Sequence, residues 1–456
     1  MNSLTKEQYL KFVRIFFNIL VLAALSLIAL TATSCSEPAS PYGQTEITLE
    51  ALDASCTEVW LELKFNNLTQ PAKVAIQKDG KDYHRILSLN RDTLLVFEDL
   101  EPSANYSFRA IIRYEGKDDK ISNTVQVRTM DTTSHSFTWQ TFTFGEHSSS
   151  TLYDVAIIDE NNIWAVGEIY MKDSLGNPDP NAYNAVHWDG TNWELKKIYT
   201  GSSCNPVDYS PLKAIFAFSD SNIAITSGGS IGWFNGKINR ADCGIRPLLS
   251  GSINKMWGSS SSDLYVVGNG GNIANYNGTG WRKIESGTTL NINDIWGDFN
   301  KTTQEWEILA VGGNILHGWQ QDRAILEIKN GNQAIQLNSD GANWPLSGVW
   351  FKAIPKHYVI GSGIYYKQKL DDSVWNSNLT SITTYHTNKI RGNDLNDVII
   401  VGAYGEVLHF NGMRWQSYIN QTGLFNGSYY SVTIKNDLVV TVGTHMSKAI
   451  ITVGKR

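Results

Sequence analysis

Six arginines, two histidines, an acidic loop and four cysteines are the side chains of this 456-residue sequence whose types could do chemistry. Arg240, Arg246, Arg282, Arg323, Arg391 and Arg414 would matter most if three of them converged on a carboxylate beside a Tyr nucleophile, a Glu base and an acid, as hydrolysis of an acidic sugar requires. Scattered surface arginines are the expectation. His187 and His409 occupy matching places in two repeated segments, where other copies carry Trp233, Asn275 and Ile328. A position that tolerates an apolar residue points to structural histidines rather than metal ligands. Asp173, Asn177, Asp179 and Asn181 offer oxygen ligands, but the glycine and terminal glutamate of a calcium loop are not in their places, so a solvated insertion is expected. Gly268-Asn269-Gly270-Gly271 is not followed by a helix and reads as a tight hairpin, not a phosphate cradle. No complete set of nucleophile, base and stabiliser is visible. No catalytic, cofactor-binding or metal-binding residue is therefore assigned, and no cofactor is expected.

The cysteines speak of compartment. Cys56 adjoins a strand-like run and is expected to be a buried thiol. Cys204 and Cys243 fall in consecutive repeats and can pair in an oxidising compartment; no C-x-x-C occurs, which argues against zinc. Ahead of Cys35, Lys6, Lys11 and Arg14 precede an apolar stretch from Ile15 to Ala32, and the polar run Ser36 to Gln44 follows. A basic head, an apolar middle and small residues at the end describe an export signal. About 18 apolar residues is the lower limit for spanning a membrane, but no Lys or Arg follows as a stop. Ala32-Thr33-Ser34-Cys35 resembles a bacterial lipobox, with Ala32 where Leu is usual. The resemblance implies that residues 1–34 are removed, that Cys35 carries a lipid and, because Ser36 is not Asp, that the anchor lies in the outer membrane.

Composition excludes other classes. The chain is 42% hydrophobic and 18% charged, with 38 basic against 44 acidic side chains. A disordered or collagen-like chain is ruled out, and the acidic balance fits nucleic acid poorly. Of the 38 Gly only Gly43, Gly80 and Gly116 precede residue 138, and of the 15 Trp only Trp60 does. This shift divides the chain near residue 135.

After a linker over 35–44, residues 45–131 alternate seven short β-type runs with turns such as Lys78-Asp79-Gly80, which suggests a two-sheet sandwich. Trp60 in the second run and Leu100-Glu101-Pro102-Ser103-Ala104-Asn105-Tyr106 resemble fibronectin type III domains, the latter as a tyrosine corner. The resemblance implies a spacer module.

Residues 138–456 carry seven apolar runs that end in or near Gly: Ile163 to Gly167, Ile223 to Gly228, Leu264 to Gly268, Ile308 to Gly312, Tyr358 to Gly361, Val398 to Gly402 and Leu438 to Gly443. Their period of about 40–45 residues fits one four-stranded propeller blade per copy. Runs this short and this apolar must be buried on both faces, as a blade between two neighbours is. His187-Trp188-Asp189-Gly190, Trp233-Phe234-Asn235-Gly236, Asn275-Tyr276-Asn277-Gly278, Ile328-Lys329-Asn330-Gly331 and His409-Phe410-Asn411-Gly412 read as two-residue hairpin turns, and Trp193, Trp281 and Trp415 as the starts of outer strands. The last copy lacks an outer strand, whereas Phe137 to Phe142 resembles one left over at the start. The expectation is an all-β chain, a fibronectin type III-like sandwich followed by a seven-bladed β-propeller closed by its own N-terminal strand. The Trp-Ala-Val-Gly runs and Gly402-Ala403-Tyr404-Gly405-Glu406-Val407 resemble bacterial neuraminidase-repeat and photosystem-assembly-factor propellers. The Asn-Gly-x-x-Trp turn is shorter than their Asp-box, so the resemblance carries the fold and no active site.

The function expected from the sequence is that of a monomeric, outer-membrane-anchored lipoprotein whose propeller binds a protein or glycan on one face without catalysis. A carbohydrate-active hydrolase or lyase with a site at the ring's centre is one alternative. The other, by fold analogy with the propeller lipoprotein of the barrel-insertion machinery, is a scaffold for outer-membrane assembly.

Overall fold

The computed structural model describes residue 10 and residues 45–68, 71–113, 119–200, 208–315 and 322–456. The export signal, Cys35, the 35–44 linker and Cys204 lie outside the described residues. Among the described residues no helix is long and apolar enough to cross a membrane.

The described residues from 45 onward gather into two compact units, one within 45–49, 63–93 and 109–123, the other within 50–62, 94–108 and 124–456. The division passes through the segment 45–131, whose strands form two sheets. One joins Glu46–Ala54, Val59–Asn66 and Thr93–Phe97; the other joins Lys81–Leu89, Ala72–Lys78, Asn105–Ile112 and Lys120–Ile121, with Val125–Arg128 also on Asn105–Ile112. The Glu101 backbone N–H donates to the Tyr106 hydroxyl at 2.9 Å.

The larger unit contains seven antiparallel sheets arranged as a ring. Blade 1 runs through Thr151–Asp159, Asn162–Ile169, Tyr183–Trp188 and Trp193–Lys196, and blade 2 through Ala214–Ser219, Asn222–Ser227, Ser230–Phe234 and Asn239–Asp242. Blade 3 holds Ile253–Ser260, Asp263–Gly268, Asn272–Tyr276 and Trp281–Glu285; blade 4 holds Ile292–Asn300, Glu305–Gly313, Arg323–Lys329 and Gln333–Gln336. Blade 5 has three strands, Leu346–Lys352, Lys356–Gly361 and Gly363–Lys367, with a lone bridge from Tyr366 to Asn376 in the fourth place. Blade 6 comprises Thr387–Asp394, Asp397–Gly402, Val407–Phe410 and Trp415–Ser417. Blade 7 takes Gly427–Lys435, Leu438–His445 and Lys448–Lys455 from the chain's end and Thr138–Phe144 from the propeller's beginning. Trp139 pairs with Gly454 and Phe142 with Ile451, and the Thr141 and Thr452 hydroxyls meet at 2.8 Å.

Seven apolar clusters fill the seven gaps between neighbouring sheets. Successive residues of a second strand serve opposite gaps: Val439 packs toward blade 6, while Val440 and Val442 pack toward blade 1. This is why those strands read as unbroken apolar runs. The gap between blades 7 and 1 is as fully apolar as the rest, so side-chain packing closes the ring together with the strand ladder.

The glycines at the ends of those runs have a steric cause. In every blade but the second, the innermost strand carries a bulge near its start, two residues facing one on the second strand. The residue opposite is Gly167, Gly268, Gly312, Gly361, Gly402 or Gly443. A Cβ on any of them would overlap the carbonyl oxygen of the residue just before its partner on the innermost strand, Thr151, Ser252, Asn291, Pro345, His386 or Ser428. Blade 2 has no bulge at that end, and Ser227 stands in the glycine's place.

The hairpins between third and fourth strands differ from the two-residue turns expected. Four are four-residue loops in which the Asp or Asn side-chain oxygen accepts the backbone N–H groups two and three residues on. Asp189, Asn235, Asn277 and Asn411 do so at 2.7–3.1 Å, and the following glycine alone takes positive φ, 83–93°. Only in blade 4 do both turn residues, Asn330 and Gly331, adopt positive φ. That loop is shorter, so Glu327, not Ile328, faces the second strand where His187 and His409 do.

Candidate functional site at the axial mouth

One layer of the innermost strands lines the ring's axis with Asp154, Ala214, Lys255, Asp294, Gly348, Lys389 and Ser431, the residues immediately after the bulges and their counterpart in blade 2. The pattern places acid, small residue, cation twice in succession. Each cation therefore reaches an acid two blades back with nothing larger than a methyl group on the blade between. Lys255 Nζ lies 2.5 Å from Asp154 and Lys389 Nζ 3.0 Å from Asp294. Arg391, two residues along blade 6, adds a bidentate pair to Asp294 at 2.8 and 2.9 Å. The acids also accept backbone N–H groups from the next blade, Ile215 to Asp154 and Val349 to Asp294, each at 3.0 Å. Ser431 completes the layer by donating to Asp154 at 2.7 Å.

This cluster is buried; the Asp294 side chain is 0% exposed and that of Lys389 is 8% exposed. Burial alone would raise the Asp294 pKa, but Arg391 and Lys389 hold the carboxyl well below the usual carboxylate range. For Lys389, burial and the neighbouring Arg391 outweigh the attraction of Asp294 and push the ammonium down from 10.5 to about 8. The folded protein thus releases this proton before the unfolded chain does. Stability should rise with pH between about 8 and 10.5 by up to ~3 kcal/mol from this group. In urea denaturation, the stability of the wild type relative to Lys389→Met is expected to improve by that order across the window; an unchanged difference would contradict the assignment. Arg391, grouped above with surface arginines, is a correction: it is an internal cation. Of the other five, Arg240, Arg246, Arg282 and Arg414 are exposed and Arg323 is half-buried on blade 4, bonded to Ser339, and they do not converge.

The bulges aim a second layer. In blades 3 to 6 the bulged residue is Asn254, Asn293, Ser347 or Asn388, and each donates to a backbone carbonyl at the start of the next innermost strand. The acceptors are Ile292, Leu346, Thr387 and Tyr429, at 3.0, 2.8, 2.5 and 2.7 Å. In the other three blades the corresponding residues are Tyr430, Tyr153 and Lys213, and no such tie forms among the described residues. These three are consecutive around the ring, in blades 7, 1 and 2. Tyr153 donates to Glu168 Oε1 at 2.5 Å, and Tyr170 donates to Glu168 Oε2 at 2.8 Å. Burial and then the bond to Glu168 raise the Tyr153 pKa; for Tyr170 the bond comes first. Lys213 Nζ sits 3.4 Å from the Tyr153 ring centroid, a cation–π contact, and burial lowers its pKa. With both Glu168 oxygens taken, the Lys213 ammonium has no hydrogen-bond acceptor among the described residues. The Tyr430 ring lies 6.3 Å from that of Tyr153.

The same face is rich in exposed aromatic rings. Tyr385 precedes the innermost strand of blade 6, Tyr404 follows its second strand, and Phe425 precedes the innermost strand of blade 7. Starts of first strands and ends of second strands share one face of an antiparallel blade. Tyr385 is 38%, Tyr404 52%, Phe425 72% and Tyr430 37% exposed. Exposed aromatics grouped on one face mark interaction surfaces.

The histidines have structural bonds. His187 stacks on Trp164 at 4.1 Å and bonds Asn162 at 3.0 Å. His409 bonds Asp397 at 2.9 Å and His135 at 2.8 Å, in a network that continues to Arg456 on Asp397 at 2.6 Å. Asn275 makes the equivalent bond to Asp263 at 3.0 Å. Asp173 caps its own loop by accepting the Leu175 and Asn177 N–H groups, and Asp179 pairs with Lys197 at 2.6 Å. Among the described residues no group of three His, Cys, Asp or Glu side chains is placed to hold a metal ion. The stretch Gly268–Gly271 joins the antiparallel second and third strands of blade 3 as the expected hairpin, with a 3-10 turn over Asn269–Gly271 at its tip. Cys56 is a free, buried thiol whose pKa burial raises to about 11, and Cys243 is disulfide-bonded.

No protein-family model matches this chain, and no curated protein matches it in sequence. Solved structures do match in fold. YCF48 bound to D1 peptide superposes with TM-score 0.51 and 15% identity over 70% of this chain and 95% of that one. YCF48 from Cyanidioschyzon merolae gives 0.49 and 12% over 69% and 98%. The WD40 β-propeller domain of Doa1 gives 0.45 and 11% over 71% and 98%.

Proposed function

We propose that this chain is a non-catalytic binding module whose propeller takes a peptide segment of a partner protein at the axial mouth, across blades 7, 1 and 2. The observation that carries this reading is the break in the bulge layer. Four blades spend that position on a strand-to-strand tie, whereas three adjacent blades present Tyr430, Tyr153 and Lys213. Lys213 calls for an acceptor, so the peptide should supply a carboxylate, from an acidic side chain or its own C-terminus. The two tyrosines and the aromatic rim would cover apolar neighbours with little loss of side-chain entropy. The fold is shared with YCF48, which has been captured with a D1 peptide, so a peptide site is in keeping with the architecture. Selection from a displayed peptide library against the immobilised protein should enrich acidic or C-terminally free sequences. Lys213→Ala should weaken the selected peptide by about 10- to 100-fold, the worth of one charge-assisted hydrogen bond. Equal binding by the variant, or no enrichment, would refute the reading.

The setting we propose is the bacterial outer membrane, with Cys35 lipidated after export, residues 45–131 acting as a fibronectin type III-like spacer, and Cys204 as the partner of Cys243. Cys35→Ala should move the protein from the membrane to the soluble fraction on detergent-free fractionation; unchanged partitioning would remove the anchor from the proposal.

A further inference from the structure

The seam where the ring closes has a cavity of its own. A cavity of about 430 Å³ opens between blades 3 and 4, and a larger one of about 690 Å³ opens between blades 7 and 1. The seam cavity is bounded by the turns after the innermost strands, at Asp159–Asn161 and Lys435–Asp437, so it lies on the face opposite the bulges. Its size is within the range that small-molecule sites occupy.

Its walls are aromatic and its rim is polar. Trp188 and Trp193 lie 5.3 Å apart, and Phe142 of the closing strand lies 6.0 Å from Trp193. All three are partly exposed. The Trp188 indole N–H is fixed on the Glu160 carbonyl at 3.1 Å, which holds the ring in place. Blade 3 shows a related arrangement with its indole donor satisfied, beside a cavity of about 430 Å³ lined by Trp233 and Tyr276. There Tyr276 and Trp281 form the same pair at 5.3 Å, Trp233 of blade 2 lies 5.6 Å from Tyr276, and Trp281 donates to Asp242 of blade 2 at 2.9 Å. At the seam the Trp193 N–H has no acceptor among the described residues. Neither do the side chains of Glu160, Gln140 and Lys455, all on the lining, have a hydrogen-bond or ion-pair partner among them.

Flat apolar rings beside an indole donor, a carboxylate, an amide and an ammonium suit a ligand that is apolar on its faces and hydroxylated round its edge. We infer that the seam cavity binds a neutral oligosaccharide of two or three hexopyranose units. The C–H faces would lie on Trp193 and Phe142, and the ring hydroxyls would bond Glu160, Gln140 and Lys455. Three acids, Asp159, Glu160 and Asp437, and three cations, Lys435, Lys455 and Arg456, share the lining, a balance that favours an uncharged ligand over an acidic one. Such a ligand would bridge the closing strand to blade 1.

Saturation-transfer NMR titrations of the full mature chain with cellotriose, maltotriose and diacetylchitobiose test this. At least one should bind the wild type, and Trp193→Ala should weaken it about tenfold or more. Glu160→Ala, on an exposed turn, should weaken it severalfold with the circular dichroism spectrum and melting temperature unchanged, which covers the case that Trp193→Ala fails to fold. Lys213→Ala should leave saccharide binding untouched, so the seam and the axial mouth succeed or fail separately. The inference is overturned if none of the three binds, if both seam variants bind like the wild type, or if Lys213→Ala abolishes saccharide binding.

Discussion

Asp294→Ala is expected to destabilise the propeller by about 3–5 kcal/mol, the range seen when one partner of a buried ion pair is removed. The carboxylate accepts two bonds from Arg391, an ion pair from Lys389 and the Val349 N–H. Its loss leaves two cations facing each other with almost no water to replace it. Urea denaturation should show the loss as a lower midpoint. Asp371→Ala, at an exposed position, should stay within about 0.5 kcal/mol of the wild type. A small effect at Asp294 would mean that the axis is hydrated and that the charged layer does not plug it. Asp294→Asn should lose less than alanine because it keeps an acceptor for Val349.

Replacing residues 138–144 by a Gly/Ser segment of equal length is expected to cost on the order of 5 kcal/mol. Trp139, Phe142 and Phe144 each bury part of an aromatic ring, and full burial of such a side chain is worth about 1.5–3 kcal/mol. The Trp139 ring lies 5.1 Å from that of Tyr418, just after the outer strand of blade 6, and Phe144 packs on the cluster between blades 7 and 1. The substitution also strips the ladder from Lys448–Lys455 and exposes an apolar edge strand. The melting temperature should fall by about 10 °C or more, with concentration-dependent aggregation. A melting temperature within about 2 °C of the wild type would show that the ring does not depend on its seam.

The blades were legible because two local constraints repeat. In six of the seven blades the glycine that ends the apolar run is forced by a backbone carbonyl, and both faces of that run are buried, so neither can drift without a clash or a hole. The Trp three residues after Asp-Gly or Asn-Gly likewise marks the outer strand because the Asx side chain fixes the loop length. Blade 4 breaks that rule by a shorter loop, and Glu327, not Ile328, stands where His187 and His409 do. The sites were much less legible. Asp154 meets a lysine 101 residues away and Asp294 an arginine 97 residues away, each across an intervening blade. Lys389-x-Arg391 has the alternation of an exposed strand, and only the ring geometry turns both inward. Tyr153 and Tyr430 hide for another reason: the bulge shifts them out of the register that period-two reading follows, while Lys213 lies just ahead of an innermost strand with no bulge at that end. Aligning the repeats on the six glycines and, in blade 2, on Ser227 puts these three beside Asn254, Asn293, Ser347 and Asn388 and exposes the break. His135 and Arg456 fell outside any repeat, so their bonds to His409 and Asp397 had no sequence signal.

The most direct test of a peptide site at the broken stretch of the bulge layer is a crystal structure of the protein with the peptide selected from the library. The peptide is expected over blades 7, 1 and 2, with one of its carboxylate oxygens within hydrogen-bonding distance of Lys213 Nζ and an apolar side chain against Tyr430. A peptide seated on the opposite face, or over blades 3 to 6 where the asparagine ties are intact, would contradict the account.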